Sequence, residues 1–180
     1  MYYKRPTEKR LSELRDIVDA VVAAALDIFR EENGVREGGI FAYSDGVGGL
    51  YLVCPVGACF HETPTSKVLR YLSLAQEKVW RLKSHRADGH RSSFESQDPD
   101  NDLWPGAVWF YPEAGCGIYS FSGFKAQIDE AISLMVGLLD AGNTSAARNW
   151  AFLVATDNNN PYFARLLGYM EIRAAAQDLK

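Results

Sequence analysis

Cysteine and histidine are scarce in this chain, at three each in 180 residues. Cys54, Cys59 and Cys116 are odd in number and lack a zinc-type spacing, which excludes a disulfide framework and predicts reduced thiols in the cytosol. No long apolar run is present either. The longest, at 17–29, is broken by Asp19 and Asp27 and is too short to cross a bilayer. Met-Tyr-Tyr-Lys-Arg-Pro at the N-terminus leads into charged residues instead of an apolar stretch, so no secretory leader is expected and the location predicted is cytoplasmic. An excess of positive charge is also missing. The formal net charge of −4 disfavours phosphate backbones and anionic membranes, so neither nucleic acid nor membrane is an expected partner.

What the chain does contain is apolar material in a regular arrangement. A hydrophobic content of 47% in 180 residues is enough for one domain with its own core. A strand–turn–strand–helix pattern occurs twice. Gly39-Ile-Phe-Ala-Tyr-Ser-Asp turns through 46–49 into Leu50-Tyr-Leu-Val-Cys-Pro; Gly106-Ala-Val-Trp-Phe-Tyr-Pro turns through 113–115 into Gly117-Ile-Tyr-Ser-Phe-Ser. The return strands open alike, on Gly49-Leu50-Tyr51 and Gly117-Ile118-Tyr119. Alternation places Phe41, Tyr43, Tyr51 and Val53 on one face of the first hairpin, and Trp109, Tyr111, Tyr119 and Phe121 on one face of the second. Neither face of these strands is polar, which predicts a sheet covered on both sides.

Helical spacing surrounds the hairpins. Leu11, Leu14, Val18, Val21, Val22, Leu26 and Phe29 share a face over 8–32, with Thr7 as N-cap and Gly34 as stop. A second helix over 65–84 presents Val68, Leu69, Leu72, Ala75, Val79, Trp80 and Leu82, with Glu77 and Arg81 paired on its surface. The polar stretch 85–105 has no hydrophobic period and reads as a mobile loop or flap. A third helix covers 124–141, a shorter one follows Asn143-Thr-Ser, and Asp157-Asn-Asn-Asn-Pro161 opens the last. The fold class expected is α/β (α+β): one antiparallel sheet of two hairpins, in the order α-β-β-α-β-β-α, with C-terminal helices. The division expected is a domain at 1–142 and a helical extension at 143–180 packed on it.

Few residues suggest chemistry. Asp98-x-Asp100-x-Asp102 starts like a calcium loop, but Leu103 and Trp109 stand where glycine and glutamate are required. His85 and His90 lack further ligands for a metal. Gly46-Val-Gly-Gly has no following lysine and reads as a turn. His61, between strand and helix, is a candidate haem ligand or general base, and Cys59 two residues away a candidate nucleophile. The aromatic residues of the strands are candidates for holding a flat ligand, with packing under helices as the alternative.

The run Gly115-Cys-Gly-Ile-Tyr-Ser-Phe-Ser-Gly123, followed by a helix bearing Asp129-Glu130, resembles the GlcG/HbpS-like family of profilin-like domains. The element order over 8–142 is similar too. Trp104-Pro105-Gly106 stands where the family reads Gly-Gly-Val-Pro, and the 65–84 helix lacks the family's alanine-rich character. The resemblance implies a profilin-like fold. It also implies kinship with haem or corrinoid carriers and with proteins of no settled activity, so haem is the cofactor to consider. The leading expectation is a non-catalytic, oligomeric domain binding a small ligand through His61, Tyr43, Tyr51, Trp109, Tyr119 and Ser120. An enzyme using His61 with Cys59, and a structural or partner-binding domain with no ligand, are the alternatives.

Overall fold

A sheet that is apolar on both faces cannot stand against water, and the fold covers it twice. The computed structural model describes residues 6–34, 36–46, 48–58, 64–110 and 117–178. The chain begins with helix α1 (Glu8–Ile28) and a short α2 (Arg30–Asn33), then strands β1 (Gly38–Ser44) and β2 (Leu50–Gly57). Helix α3 (Thr65–Ser84) leads through the 85–106 segment to β3 (Ala107–Phe110) and β4 (Gly117–Ser122). Helices α4 (Ala126–Asp140), α5 (Ser145–Asp157) and α6 (Pro161–Asp178) complete it. The strands form one four-stranded antiparallel sheet in the order β2-β1-β4-β3, so the expected α+β class and element order are those observed.

One face packs on α1 and α4, with α5 and α6 joined to the same core. Phe41, Tyr43, Cys54, Val56, Val108, Phe110, Tyr119 and Phe121 meet Leu14, Val18, Val22, Ile128, Ile132 and Met135 there. The other face, with Ile40, Ala42, Ala107, Trp109 and Ile118, is covered by Val68, Ala75, Val79 and Leu82 of α3. Helix signals in the sequence hold locally. Thr7 accepts a hydrogen bond from the Arg10 N–H, Thr144 from the Ala147 N–H, and Gly34 ends α2 at φ 66°.

The pairing corrects the expected faces. Phe41 lies opposite Cys54 and Tyr43 opposite Leu52, while Val108 lies opposite Tyr119 and Trp109 opposite Ile118. Directly opposed residues share a face, so Tyr43 and Tyr119 lie on the α1/α4 side and Trp109 on the α3 side. Alternation holds along β1, β3 and β4 but breaks in β2, where Leu50 and Val53 face α3 while Tyr51, Leu52 and Cys54 face the α1/α4 core. Across each hairpin the pairing is one residue from that expected. A register shift between Tyr43 and Ser44 leaves Tyr51 as the extra residue, packed with Leu52 against the α1/α4 core.

Two further expectations change. Leu69 and Trp80 are exposed at 59% and 46%, because α3 turns Lys78 and Arg81 inward instead. Arg81 is therefore buried, not a surface partner of Glu77. Its guanidinium donates to the carbonyls of Ser93 (2.7 Å), Ser96 (2.8 Å) and Trp104 (2.6 Å), and to Glu77 (2.6 Å). The 85–105 stretch is thus fastened and not a free flap. Its Ser93 N–H donates to the Ala107 carbonyl at 2.9 Å, and its Arg91 carbonyl accepts from the Trp109 N–H at 2.7 Å, which places this stretch along β3.

Buried Glu130 of α4 completes the fastening. It accepts hydrogen bonds from the Ser92 hydroxyl and from the side-chain amides of Asn158 (2.7 Å) and Asn160 (2.8 Å). Burial raises its carboxyl above the usual range, while those three donors oppose the shift.

Gly39 in β1 and Gly123 after β4 let two backbones touch. A Cβ on Gly39 would lie 2.4 Å from the Ser122 carbonyl oxygen and 2.9 Å from the Gly123 Cα. These are backbone atoms that cannot rotate aside. Gly39→Ala is predicted to destabilise the fold by about 1–3 kcal/mol in urea unfolding, whereas Gly49→Ala, with open space around it, serves as the matched control.

Candidate functional site

The site begins with charge on the wrong side of a helix. Lys78 sits among Ala75, Val79 and Leu82 on the inner face of α3, 1% exposed. A buried ammonium needs partners, and it has two: the Phe121 carbonyl at 2.9 Å and Asp129 Oδ2 at 3.1 Å. Asp129 lies in the first turn of α4, and its Oδ1 accepts the Phe124 N–H at 2.8 Å. One carboxylate therefore closes the β4–α4 turn and holds α3 to it. Burial pushes the Asp129 carboxyl up to about 6, against the opposing pull of Lys78 and the Phe124 N–H. The same burial pushes Lys78 down, against the pull of Asp129.

Beside this pair opens a cleft of about 370 Å³ between α3, the β4–α4 turn and the end of the 85–106 segment. Tyr71, Leu74, Trp104 and Phe124 supply its apolar surface; Arg36, Lys67, Arg70, Lys78 and Lys125 supply cations. Asp129, already paired with Lys78, is the one carboxylate among the lining residues described. Lys67 lies over the Tyr71 ring at 5.8 Å. Arg70 pairs with Asp102 at 2.7 Å, and Trp104 Nε1 donates to the same carboxylate at 2.6 Å. The Trp104 hydrogen bond and Arg70 hold the Asp102 carboxyl below its ordinary range. Asn33 orders the opposite rim: its Oδ1 accepts from the Lys125 N–H and its Nδ2 donates to the Arg36 carbonyl, both at 3.3 Å.

The residues expected from sequence to bind a ligand are not gathered there. Tyr43 and Tyr119 pack together in the α1/α4 core with ring centroids 5.2 Å apart, and the Tyr119 hydroxyl donates to Asp140 at 2.6 Å. Arg10 pairs with the same carboxylate. Burial and the Asp140 charge raise the Tyr119 hydroxyl well above the usual tyrosine range, so it stays a donor. Ser120 is buried on the other face and donates to the Ala75 carbonyl at 2.9 Å, tying sheet to α3. Trp109 is buried there with Arg86 over its ring at 4.8 Å. The Tyr51 hydroxyl lies against Gly48 at the β1–β2 turn. Tyr43, Tyr51 and Tyr119 therefore share the α1/α4 face with Phe41 and Phe121, Trp109 and Ser120 lie on the α3 face, and Tyr111 lies outside the described residues. His61 and Cys59 lie outside the described residues.

His85 and His90 stack at 4.8 Å, with His85 Nδ1 2.9 Å from Asp88, and no cluster able to hold a metal occurs among the described residues. Burial pushes the Cys54 thiol up to about 11, so it is not a thiolate at neutral pH. No helix among the described residues is long and apolar enough to cross a membrane.

No protein-family model matches the chain, and no curated protein matches its sequence. Among solved structures, the crystal structure of Klebsiella pneumoniae protein ORFY, described under family-model DUF336, is similar. It has a TM-score of 0.49 at 13% identity, over 81% of this chain and 99% of that one.

The cleft residues were visible in the sequence only as anomalies. Lys78 falls three residues after Ala75 and four before Leu82, in the middle of an apolar stripe, and that position was the available signal.

Asp129 dictates a pH response. Its folded carboxyl titrates near 6, against an ordinary value of 3.8, so the folded state holds a proton between those values that the unfolded chain has released. Stability from this group is full below about pH 4 and is lost as pH rises through about 6, a swing of about 3 kcal/mol. Asp129→Asn is predicted to remove that component, measured as the difference between variant and parent in urea stability from pH 4 to 7. Lys78→Met, which strands the buried carboxylate, is predicted to cost about 3–5 kcal/mol at pH 7.

Proposed function

We propose that this protein is a non-catalytic small-molecule-binding domain whose ligand lies in the cleft between α3 and the β4–α4 turn. The observation that carries this reading is the cleft itself: about 370 Å³, walled by Tyr71, Leu74, Trp104 and Phe124 and rimmed by charge. Ligand pockets run from roughly 300 to 1,000 Å³ and combine apolar walls with a few placed polar groups. The cleft is at the small end, suited to one or two rings. Buried Lys78 and Asp129 fix its floor and the fastened Trp104 its mouth, so little ordering remains for a ligand to impose.

Distant kinship with the GlcG/HbpS-like family is part of the proposal. It is supported by the return strand Gly117–Ser122 running through Gly123 into a helix with Asp129 and Glu130, whose carboxylates here hold the turn and the 85–106 segment. Haem binding needs an axial side chain. Tyr71 is the one described lining residue of a haem-ligating type, and His61 lies outside the described residues, so the proposal rests on the cleft and not on a tetrapyrrole. The catalytic alternative likewise rests on Cys59 and His61.

Native mass spectrometry on protein from its own host tests this reading. A bound small mass is expected, lost in Leu74→Trp, whose indole would fill the cleft from its half-buried position. A clean apo mass, with no change in melting temperature across a small-molecule library, would overturn it.

Assembly is a second reading, supported by Leu69 and Trp80 on the outer side of α3. They are exposed at 59% and 46% and lie three helical turns apart on one face. A homo-oligomer through this face predicts that sedimentation velocity shows a mass above 20.0 kDa, reduced to the monomer in Leu69→Glu/Trp80→Glu. A monomer at high concentration would remove it.

A further inference from the structure

We infer that the ligand of this cleft is an organic anion: one or two flat rings carrying a phosphoryl, sulfonyl or carboxylate group. This rests on the binding reading above and adds the chemical class.

The argument is one of local charge against global charge. The chain carries 19 lysines and arginines against 23 acidic residues, a net −4. Five of those cations line a single cleft of about 370 Å³ whose one described carboxylate is spent on Lys78. Four remain at the rim: Arg36, Lys67, Arg70 and Lys125. Arg70 is partly offset by Asp102; Arg36 and Lys125 make no ion pair within 4 Å among the described residues and feel Asp129 and Glu32 only at longer range. A rim of like charges repels itself, and an oxyanion between them relieves that repulsion while gaining charge-assisted hydrogen bonds.

The arrangement is also built and not merely crowded. Asn33, 5% exposed, holds the backbones of Arg36 and Lys125 from one amide, so two cations from distant parts of the chain are set on the same rim. Tyr71 and Trp104 give the ring its walls, each fixed by a neighbour: Lys67 over the first, Asp102 hydrogen-bonded to the second. An inorganic ion alone would leave those walls idle, and a neutral ring would leave Arg36 and Lys125 without a close counter-charge.

A matched pair of fluorescent probes separates these terms. 8-Anilinonaphthalene-1-sulfonate and N-phenyl-1-naphthylamine share a ring system and differ in the sulfonate. The folded protein is expected to bind the sulfonate at one site, at least about tenfold more tightly than the neutral probe, with displacement by phosphate esters and weakening at high salt. Arg36→Gln/Lys125→Gln is expected to lose about tenfold in sulfonate affinity with an unchanged melting temperature. Lys67→Gln, an exposed position in the first turn of α3, serves if the double variant folds poorly. Lys9→Gln/Arg15→Gln, exposed on α1 and equal in charge change, is expected to bind as the parent does.

Equal affinity for the two probes, or an equal loss in the α1 control, overturns the anion inference while the binding reading stands. Failure of both probes to saturate one site overturns both.

Discussion

Antiparallel pairing of β1 with β4 at the centre of the sheet is the constraint from which the rest follows. Ile40 to Ser44 lie against Ser122 to Ile118, and both faces of that pair are buried, one lined by Phe41, Tyr43, Tyr119 and Phe121, the other by Ile40, Ala42 and Ile118 with Ser44, Ser120 and Ser122. Neither face can be left to water, so α3 must lie on one side and α1 with α4 on the other. Once α3 lies flat on the sheet its inner stripe is fixed, and that stripe includes Lys78 and Arg81 beside Ala75, Val79 and Leu82. Two buried cations then need acceptors. Lys78 finds Asp129 and the Phe121 carbonyl, which sets the β4–α4 turn; Arg81 finds three carbonyls, which sets the 85–106 segment. The cleft is what lies between those two settlements.

Buried charge in this protein works as a fastener between segments. Each ion loses its hydration, and the pair recovers that loss only through geometry and added hydrogen bonds. Lys78, Arg81, Asp129 and Glu130 each meet this condition with partners from other segments of the chain. What they specify is position: α3 against α4, the polar segment against β3, and the α5–α6 turn against both. A rigid floor and mouth are what a binding cleft requires, and here they come from polar contacts beneath an apolar sheet.

Much of the fold was legible and much of the site was not. Thr7, Gly34, Thr144 and Pro161 marked helix ends where the structure has them, because capping is decided within a few residues. The strands were legible for the same reason. The register across each hairpin was not, and one residue of error put Trp109 beside Tyr119 when the two lie on opposite faces. Alternation states which side chains of a strand agree with each other, and only the cross-strand hydrogen bonds state which strand faces agree. The 85–105 stretch looked free because it has no hydrophobic period; its order comes from Arg81 and Glu130, two side chains far from it in sequence.

The sequence by itself determined the elements, their order and the need for helices on both faces, since propensity, caps and apolar spacing act locally. Only the tertiary structure decided that Arg36, Lys67, Arg70 and Lys125 share one rim and that Tyr43 lies on one face of the sheet with Trp109 and Ser120 on the other. These cations are spread over α3, the approach to β1 and the turn before α4, with no spacing to connect them. Their proximity is set by how α3 docks on the sheet and by Asn33 joining two remote backbones, and neither contact has a signature in the linear chain.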